Sequence, residues 1–181
     1  MQLVQNISHI GIVLKSSDLP YNKYLECDEN QITEAITSVF IDCLENRIEN
    51  YDGAIWWLPL KESIRAKMNI EKYYDFILQQ QGKKYDIPEA IKSAIDIFDK
   101  FPFCLLRKFT YNIEDISKVF CSELAAAALE ESEAVANINA SEVTPIDLCM
   151  FNIYEEDYYQ LKGERTMIKG YNTISPFGWG Q

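Results

Sequence analysis

The chain has 181 residues, 48% of them hydrophobic and 25% charged, which is typical of one globular domain with a buried core. Acidic residues outnumber basic ones by 28 to 17, so binding to nucleic acid is not expected, and the charge gives no indication of membrane or lipid contact. No run approaches the roughly 20 apolar residues of a membrane span, and no signal peptide is recognisable, so we expect a soluble protein, cytoplasmic by default.

Strands are predicted in the first third of the chain. Short runs rich in β-branched and aromatic residues lie at 8–14, 21–27, 38–44 and 54–60. The segments between them are too short to hold crossover helices. This part therefore predicts a meander of antiparallel strands.

Helices are predicted after residue 62. Apolar residues step by three or four up to Gly82, which predicts one helix that ends there. A shorter helix is expected from Pro88 to about Lys100, and residues 101–109 are ambiguous between strand and loop. Ala, Leu and Glu dominate after Cys121, so a third helix is predicted to begin around that residue. Residues 144–148 are interpreted as a turn into a short strand or loop, and the tail as irregular, so the fold class is α+β.

The five cysteines contain no close pair, and the chain has a single histidine. Neither a disulfide framework nor a metal site is expected from these spacings, and no cofactor is predicted. Thiol catalysis requires a thiolate and a base, and a helix N-terminus favours the thiolate. Cys121 is the only cysteine predicted to lie at such a terminus. The other four lie in apolar runs, where a thiol usually serves as a small hydrophobic residue.

His9 is the only available imidazole, so any cysteine and histidine pair must include it. If the strands at 8–14 and 21–27 form a hairpin, His9 shares a face with Glu26 and Asp28 in one of the two possible registers. A shift of one residue would turn both carboxylates away. Glu26 and Asp28 are therefore candidates for orienting the imidazole.

Five segments, in this order, resemble the circularly permuted NlpC-type branch of the papain-like cysteine hydrolases. They are Ser8-His9-Ile10-Gly11-Ile12-Val13, Leu25-Glu26, Gly82-Lys83-Lys84-Tyr85-Asp86, Phe120-Cys121-Ser122-Glu123-Leu124 and Thr144-Pro145-Ile146-Asp147-Leu148. In ordinary papain-like enzymes the cysteine helix precedes the histidine strand, whereas in the permuted branch it follows, as it does here. Members usually carry a further strand before the Ser-His motif, while only eight residues precede His9, so one sheet edge is expected to differ.

The resemblance implies a papain-like fold with Cys121 as nucleophile, His9 as base and Glu26 as the orienting carboxylate. An amide or peptide bond would be cleaved through an acyl-enzyme, with a small-molecule, peptide or acyl-amide substrate. The backbone N–H of Cys121 is expected to meet the oxyanion. Ser8 and Tyr85 are candidates for lining the substrate pocket.

Two alternatives remain open at this point. Relatives include lipid acyltransferases, and a lipid acyltransferase or lipid hydrolase using the same thiol would need an exposed apolar approach. Trp56 and Trp57 are adjacent on a predicted strand and must face opposite ways, so one of them could supply it. The other alternative is a non-catalytic binding protein that retains the scaffold.

Overall fold

The computed structural model describes residues 2–4, 7–15, 30–35, 38–83 and 110–180, with the backbone alone for 2–4 and 110–120. Seven strands and five α-helices lie in these ranges. The strands are β1 (Gln2–Val4), β2 (Gly11–Lys15), β3 (Asn30–Ala35), β4 (Val39–Cys43), β5 (Ile55–Trp57), β6 (Tyr159–Lys162) and β7 (Thr166–Ile168). The helices are α1 (Leu44–Asn50), α2 (Glu62–Arg65), α3 (Ile70–Gln80), α4 (Thr110–Glu131) and α5 (Pro145–Met150). Helices combined with mainly antiparallel sheets confirm the α+β class.

The central sheet is an antiparallel meander in the order β2-β3-β4. The strands predicted at 8–14 and 38–44 contribute β2 and β4, whereas β3 was not predicted. The predicted hairpin partner, residues 21–27, lies outside the described residues. The strand predicted at 54–60 is shorter and belongs to another sheet, in which β5 pairs with β6, so the prediction of one four-stranded meander is wrong.

Two helix predictions near residues 62–82 and 121 are wrong in their boundaries. The first stretch is divided in two because the Asn69 side chain accepts a hydrogen bond from the N–H of Lys72 and starts α3 afresh. Gly82 follows the end of α3 with φ of +76°, as predicted for a helix stop. The cysteine helix begins at Thr110, about three turns before Cys121, so Cys121 lies inside the helix.

The turn predicted at 144–148 is also different in the structure. Thr144 and Asp147 form a capping box that starts α5, so residues 145–148 are helical. The predicted helix from Pro88 to about Lys100 and the ambiguous segment 101–109 lie outside the described residues. Cys43, at the end of β4, is disulfide-bonded, a bridge that the spacing of the cysteines did not predict.

Helix α4 packs against the central sheet through small and aliphatic side chains. Leu124 contacts the buried Ala35 and Val39 of the meander, and Ala128 packs with Leu14 of β2. Because small side chains such as that of Ala128 face the sheet, α4 approaches β2 closely enough to bring Cys121 beside the start of that strand. No helix in the described ranges is long and apolar enough to cross a membrane.

Candidate active site

Cys121 lies on the face of α4 that is turned toward the start of β2, and it is only 1% exposed. Its sulfur accepts a hydrogen bond from the backbone N–H of Ile10 at 3.3 Å. A side-chain hydrogen bond also joins Cys121 to His9, the residue before Ile10. The thiol therefore has two donors from one short segment, and both would stabilise a thiolate more than a thiol.

His9 lies between the sulfur and a buried carboxylate. Its Nε2 is 2.8 Å from Oε1 of Glu34, within the distance of an ion pair and of a hydrogen bond. With Nε2 turned to Glu34, Nδ1 is the ring nitrogen left for Cys121. Cysteine, imidazole and carboxylate thus stand in the order that nucleophilic thiol catalysis requires.

The register of the central sheet places Glu34. It lies on β3 directly opposite Gly11 of β2, two residues beyond His9. A Cβ on Gly11 would stand 3.2 Å from the Cγ of Glu34 and closer still to the side chain of Ile32. The glycine therefore leaves room for the glutamate side chain to lie along β2 toward the imidazole.

Glu34 is only 4% exposed, and it is shared by two cations. Its Oε2 accepts a hydrogen bond from Nε of Arg47 on α1 at 2.5 Å, while Oε1 faces His9. Burial would raise the pKa of this carboxyl group, but the hydrogen bonds and charges of His9 and Arg47 outweigh burial and lower it. Glu34 is thereby held as a carboxylate.

The same contacts favour the charged imidazole. Burial would lower the pKa of His9, but hydrogen bonding to Cys121 and Glu34, together with their charges, raises it from 6.5 to about 9. The raised pKa of His9 favours the imidazolium form at neutral pH. An imidazolium next to a thiol favours transfer of the thiol proton away from sulfur, which is how thiol nucleophiles are activated.

The residues predicted from sequence have different outcomes. The structure brings Cys121 and His9 together, as expected, and leaves Ser8 partly buried beside His9 in the chain. Glu26, Asp28 and Tyr85 lie outside the described residues. Among the described carboxylates, Glu34 is the one that contacts the imidazole.

Two features of the sequence interpretation of Cys121 are wrong. The helix N-terminus does not lie at its sulfur, because α4 begins at Thr110. For the same reason the N–H of Cys121 belongs to the hydrogen-bond ladder inside the helix and is not available to an oxyanion. The sulfur instead has as a backbone donor the N–H of Ile10, which was not predicted.

Metal binding finds no support in the described ranges, where no three His, Cys, Asp or Glu side chains are close enough together to hold an ion. Comparison of the chain with protein-family models, with curated proteins and with solved structures found no match. Functional assignment therefore depends on the geometry around Cys121.

Proposed function

We propose that the chain is a thiol-dependent hydrolase with a circularly permuted papain-like fold, and that it cleaves an amide or peptide bond through an acyl-enzyme on Cys121. The observation that carries the proposal is the row of Cys121, His9 and Glu34, assembled from α4, the segment before β2, and β3. The order of these elements also supports it, because the histidine strand precedes the cysteine helix.

In the proposed reaction, the Cys121 thiolate attacks the carbonyl carbon and forms a tetrahedral intermediate. His9 then gives its proton to the leaving nitrogen, the C–N bond breaks, and a thioester remains on Cys121. Water attacks the thioester and loses a proton to His9, and the acid leaves as the thiolate forms again. Glu34 holds the imidazole in place and stabilises its charge at both stages.

Burial of the sulfur constrains the approach of the substrate. Cys121 itself is almost fully buried, whereas His9 is partly exposed. We therefore expect the scissile carbonyl to enter along the exposed edge of the imidazole. This geometry favours a slender acyl chain or peptide over a bulky globular substrate.

The test is to trap the acyl-enzyme. The full-length protein is mixed with a panel of activated acyl amides and peptide anilides, quenched in acid, and analysed by peptide mass spectrometry. The proposal expects turnover together with an acyl mass on Cys121 that hydroxylamine removes, since thioesters are labile to it. Cys121→Ala should lose both signals, and Cys149→Ala should keep both. No turnover and no adduct across the panel would favour the non-catalytic alternative.

A lipid acyltransferase or lipid hydrolase remains the second candidate, because the outer face of the β5–β6 sheet is apolar. Trp57 is 47% exposed and stacks on Tyr159 of the neighbouring strand with ring centroids 5.4 Å apart. Leu161 extends the same face two residues further along β6. Trp56 packs against buried residues, so the two tryptophans face opposite ways, as predicted.

This second candidate has its own test. If the apolar face meets a lipid surface, Trp57→Ser should reduce hydrolysis of long-chain esters in vesicles at least tenfold, and it should leave hydrolysis of a short water-soluble acyl amide unchanged. Phe177→Ser is the matched control, because Phe177 is also exposed but lies outside this sheet. Equal losses on both substrates would count against the lipid candidate.

A further inference from the structure

Arg47 is a residue that the proposed reaction does not use, although it forms the outer end of the row of charges. It lies on α1, which follows β4 directly and places Arg47 thirteen residues after Glu34. Its guanidinium is partly buried, and its Cζ stands 5.1 Å from the centre of the Tyr51 ring. The side chain is thus fixed by a carboxylate on one side and an aromatic face on the other.

The helix that carries Arg47 is itself anchored. Nζ of Lys162, on β6, donates hydrogen bonds to the carbonyl oxygens of Ile48 and Glu49 at 2.8 and 2.9 Å. A cation at the end of a helix satisfies carbonyl groups that have no partner within the helix. Arg47 therefore belongs to a fixed frame, and it approaches Glu34 from the side opposite His9.

We propose that Arg47 is a positioning residue that keeps the active-site proton on His9 by preventing Glu34 from accepting it. This proposal builds on the proposed thiol hydrolase and concerns the same site. A buried carboxylate and a buried imidazole can exist as an ion pair or, with the proton moved across, as two neutral groups. Burial favours the neutral form of both groups. The guanidinium at Oε2 opposes this transfer, because a carboxylate paired with a cation binds a proton less readily.

Within the described residues, the charges facing His9 come from three elements, namely Cys121 on α4, Glu34 on β3 and, through that glutamate, Arg47 on α1. When the thiolate and imidazolium have formed, these four groups carry alternating charges that sum to zero. Without Arg47 the row would carry one uncompensated negative charge. Because that charge would rest on Glu34, the carboxylate would bind a proton more readily in the absence of Arg47.

The single histidine makes the proposal directly measurable. The ¹⁵N chemical shifts of His9 distinguish imidazolium from neutral imidazole, and no other histidine contributes a signal. The measurement is made on full-length protein carrying Cys121→Ala, so that the ratio depends on Glu34 and Arg47 and not on the thiol. At pH 7, Arg47→Met should lower the ratio of imidazolium to neutral imidazole at least tenfold. Arg47→Lys, which keeps the charge, should restore most of that ratio.

Two controls separate this role from a general loss of structure. Arg65→Met removes an exposed arginine that pairs with Glu62, and it should leave the His9 shifts unchanged. In a Glu34→Gln background, Arg47→Met should have no further effect, because Arg47 is proposed to act through Glu34. If Arg47→Met does not fold, the ratio in Arg47→Lys and the effect of Glu34→Gln still test the assignment.

An unchanged ratio in Arg47→Met, or a Lys variant as deficient as the Met variant, would overturn the proposal. The shift measurement does not depend on catalysis, so failure of the two proposals can be told apart. If Arg47→Met lowers the imidazolium ratio in Cys121→Ala, but the protein that retains Cys121 shows no turnover, the role of Arg47 stands and the hydrolase proposal is rejected. If Arg47→Met leaves both the ratio and the turnover unchanged, the hydrolase proposal stands and the role of Arg47 is rejected.

Discussion

Cys121 and Cys149 lie at almost the same depth, being 1% and 2% exposed, and neither is in a disulfide. Their surroundings differ. Cys149 packs with the buried side chains of Ile7 and Ile168, and burial raises the pKa of its thiol to about 12. Cys121 faces an imidazolium and a backbone N–H donor. Burial without a charged partner disfavours a thiolate, so we expect a buried sulfur to serve as a nucleophile only where a cation lies beside it.

The largest expected effect is in alkylation of these two thiols. Near pH 6 we expect iodoacetamide to modify Cys121 at least about a thousandfold faster than Cys149, because only Cys121 has a cation beside it. The two thiols are similarly buried, so the ratio of their alkylation rates reflects their reactivity and not their accessibility to the reagent. Peptide mass spectrometry over a time course measures both rates in one sample. Comparable rates at the two cysteines would contradict the assignment of Cys121.

Removing the imidazole should make the reactivities of the Cys121 and Cys149 thiols more alike. His9→Ala is expected to reduce turnover and the selective alkylation of Cys121 by at least about a hundredfold, as for loss of a general base. The chain has no second histidine to replace it. Alkylation of Cys149 is the internal control and should not change. Turnover retained in this variant would exclude the Cys121–His9 pair.

Stability should depend on pH in a different window for each region. Because the pKa of His9 is raised from 6.5 to about 9, the folded protein holds a proton that the unfolded chain has lost. The contribution of His9 to the free energy of unfolding is at most about 3 kcal/mol. It is fully present below pH 6.5 and is lost as the pH rises through 9. Cys149, with its pKa raised from 9.0 to about 12, makes stability fall only above pH 9.

Urea unfolding at pH 6, 7.5 and 9 tests this difference. The free energy of unfolding should fall across this range in Cys121→Ala, where the proton on His9 cannot have come from the thiol, and in Cys121→Ala/Cys149→Ala. The slope should be nearly absent in His9→Ala. A variant without His9 that kept the full slope would show that another group carries it.

The smallest expected effect concerns the carboxylate. Glu34→Gln keeps the shape of the side chain but withdraws its charge from His9, so turnover should fall at least tenfold, or about 1.4 kcal/mol in transition-state stabilisation. Glu26→Gln and Asp28→Asn are the matched variants, and each should lose less. A larger loss at Glu26 would return the orienting role to the residue that the family resemblance indicates.

The sequence predicted the contact between Cys121 and His9 better than the carboxylate that lies beside His9. His9 followed from its being the only histidine, and Cys121 from the helix-forming residues after it. Glu34 was missed because β3 mixes polar and apolar residues, with Glu34 itself buried at a position that normally disfavours a charge. Its pairing with His9 and Arg47 makes that burial tolerable, and no local sequence pattern links Glu34 to either residue.

The start of the cysteine helix was placed too late for a propensity reason. Residues 110–120 include Ile113, Ile116 and Val119, which are weaker helix formers than the alanines after Cys121. They nevertheless form the first half of α4. The end of a helix at Gly82 was predictable, because the left-handed backbone found there is costly for other residues. The break between α2 and α3 was not, because it depends on the side-chain cap of Asn69 within a continuous apolar pattern.

The hydrogen bond from Ile10 to Cys121 joins residues that are 111 positions apart in the chain. Contacts of such high sequence separation close large loops and form late relative to local helices and hairpins. In a partly folded or truncated chain the Cys121 thiol would therefore lack its contact with His9, and we expect it to be unreactive. The resonance of the only histidine consequently serves a second purpose, as a reporter of when the two ends of this long loop have met.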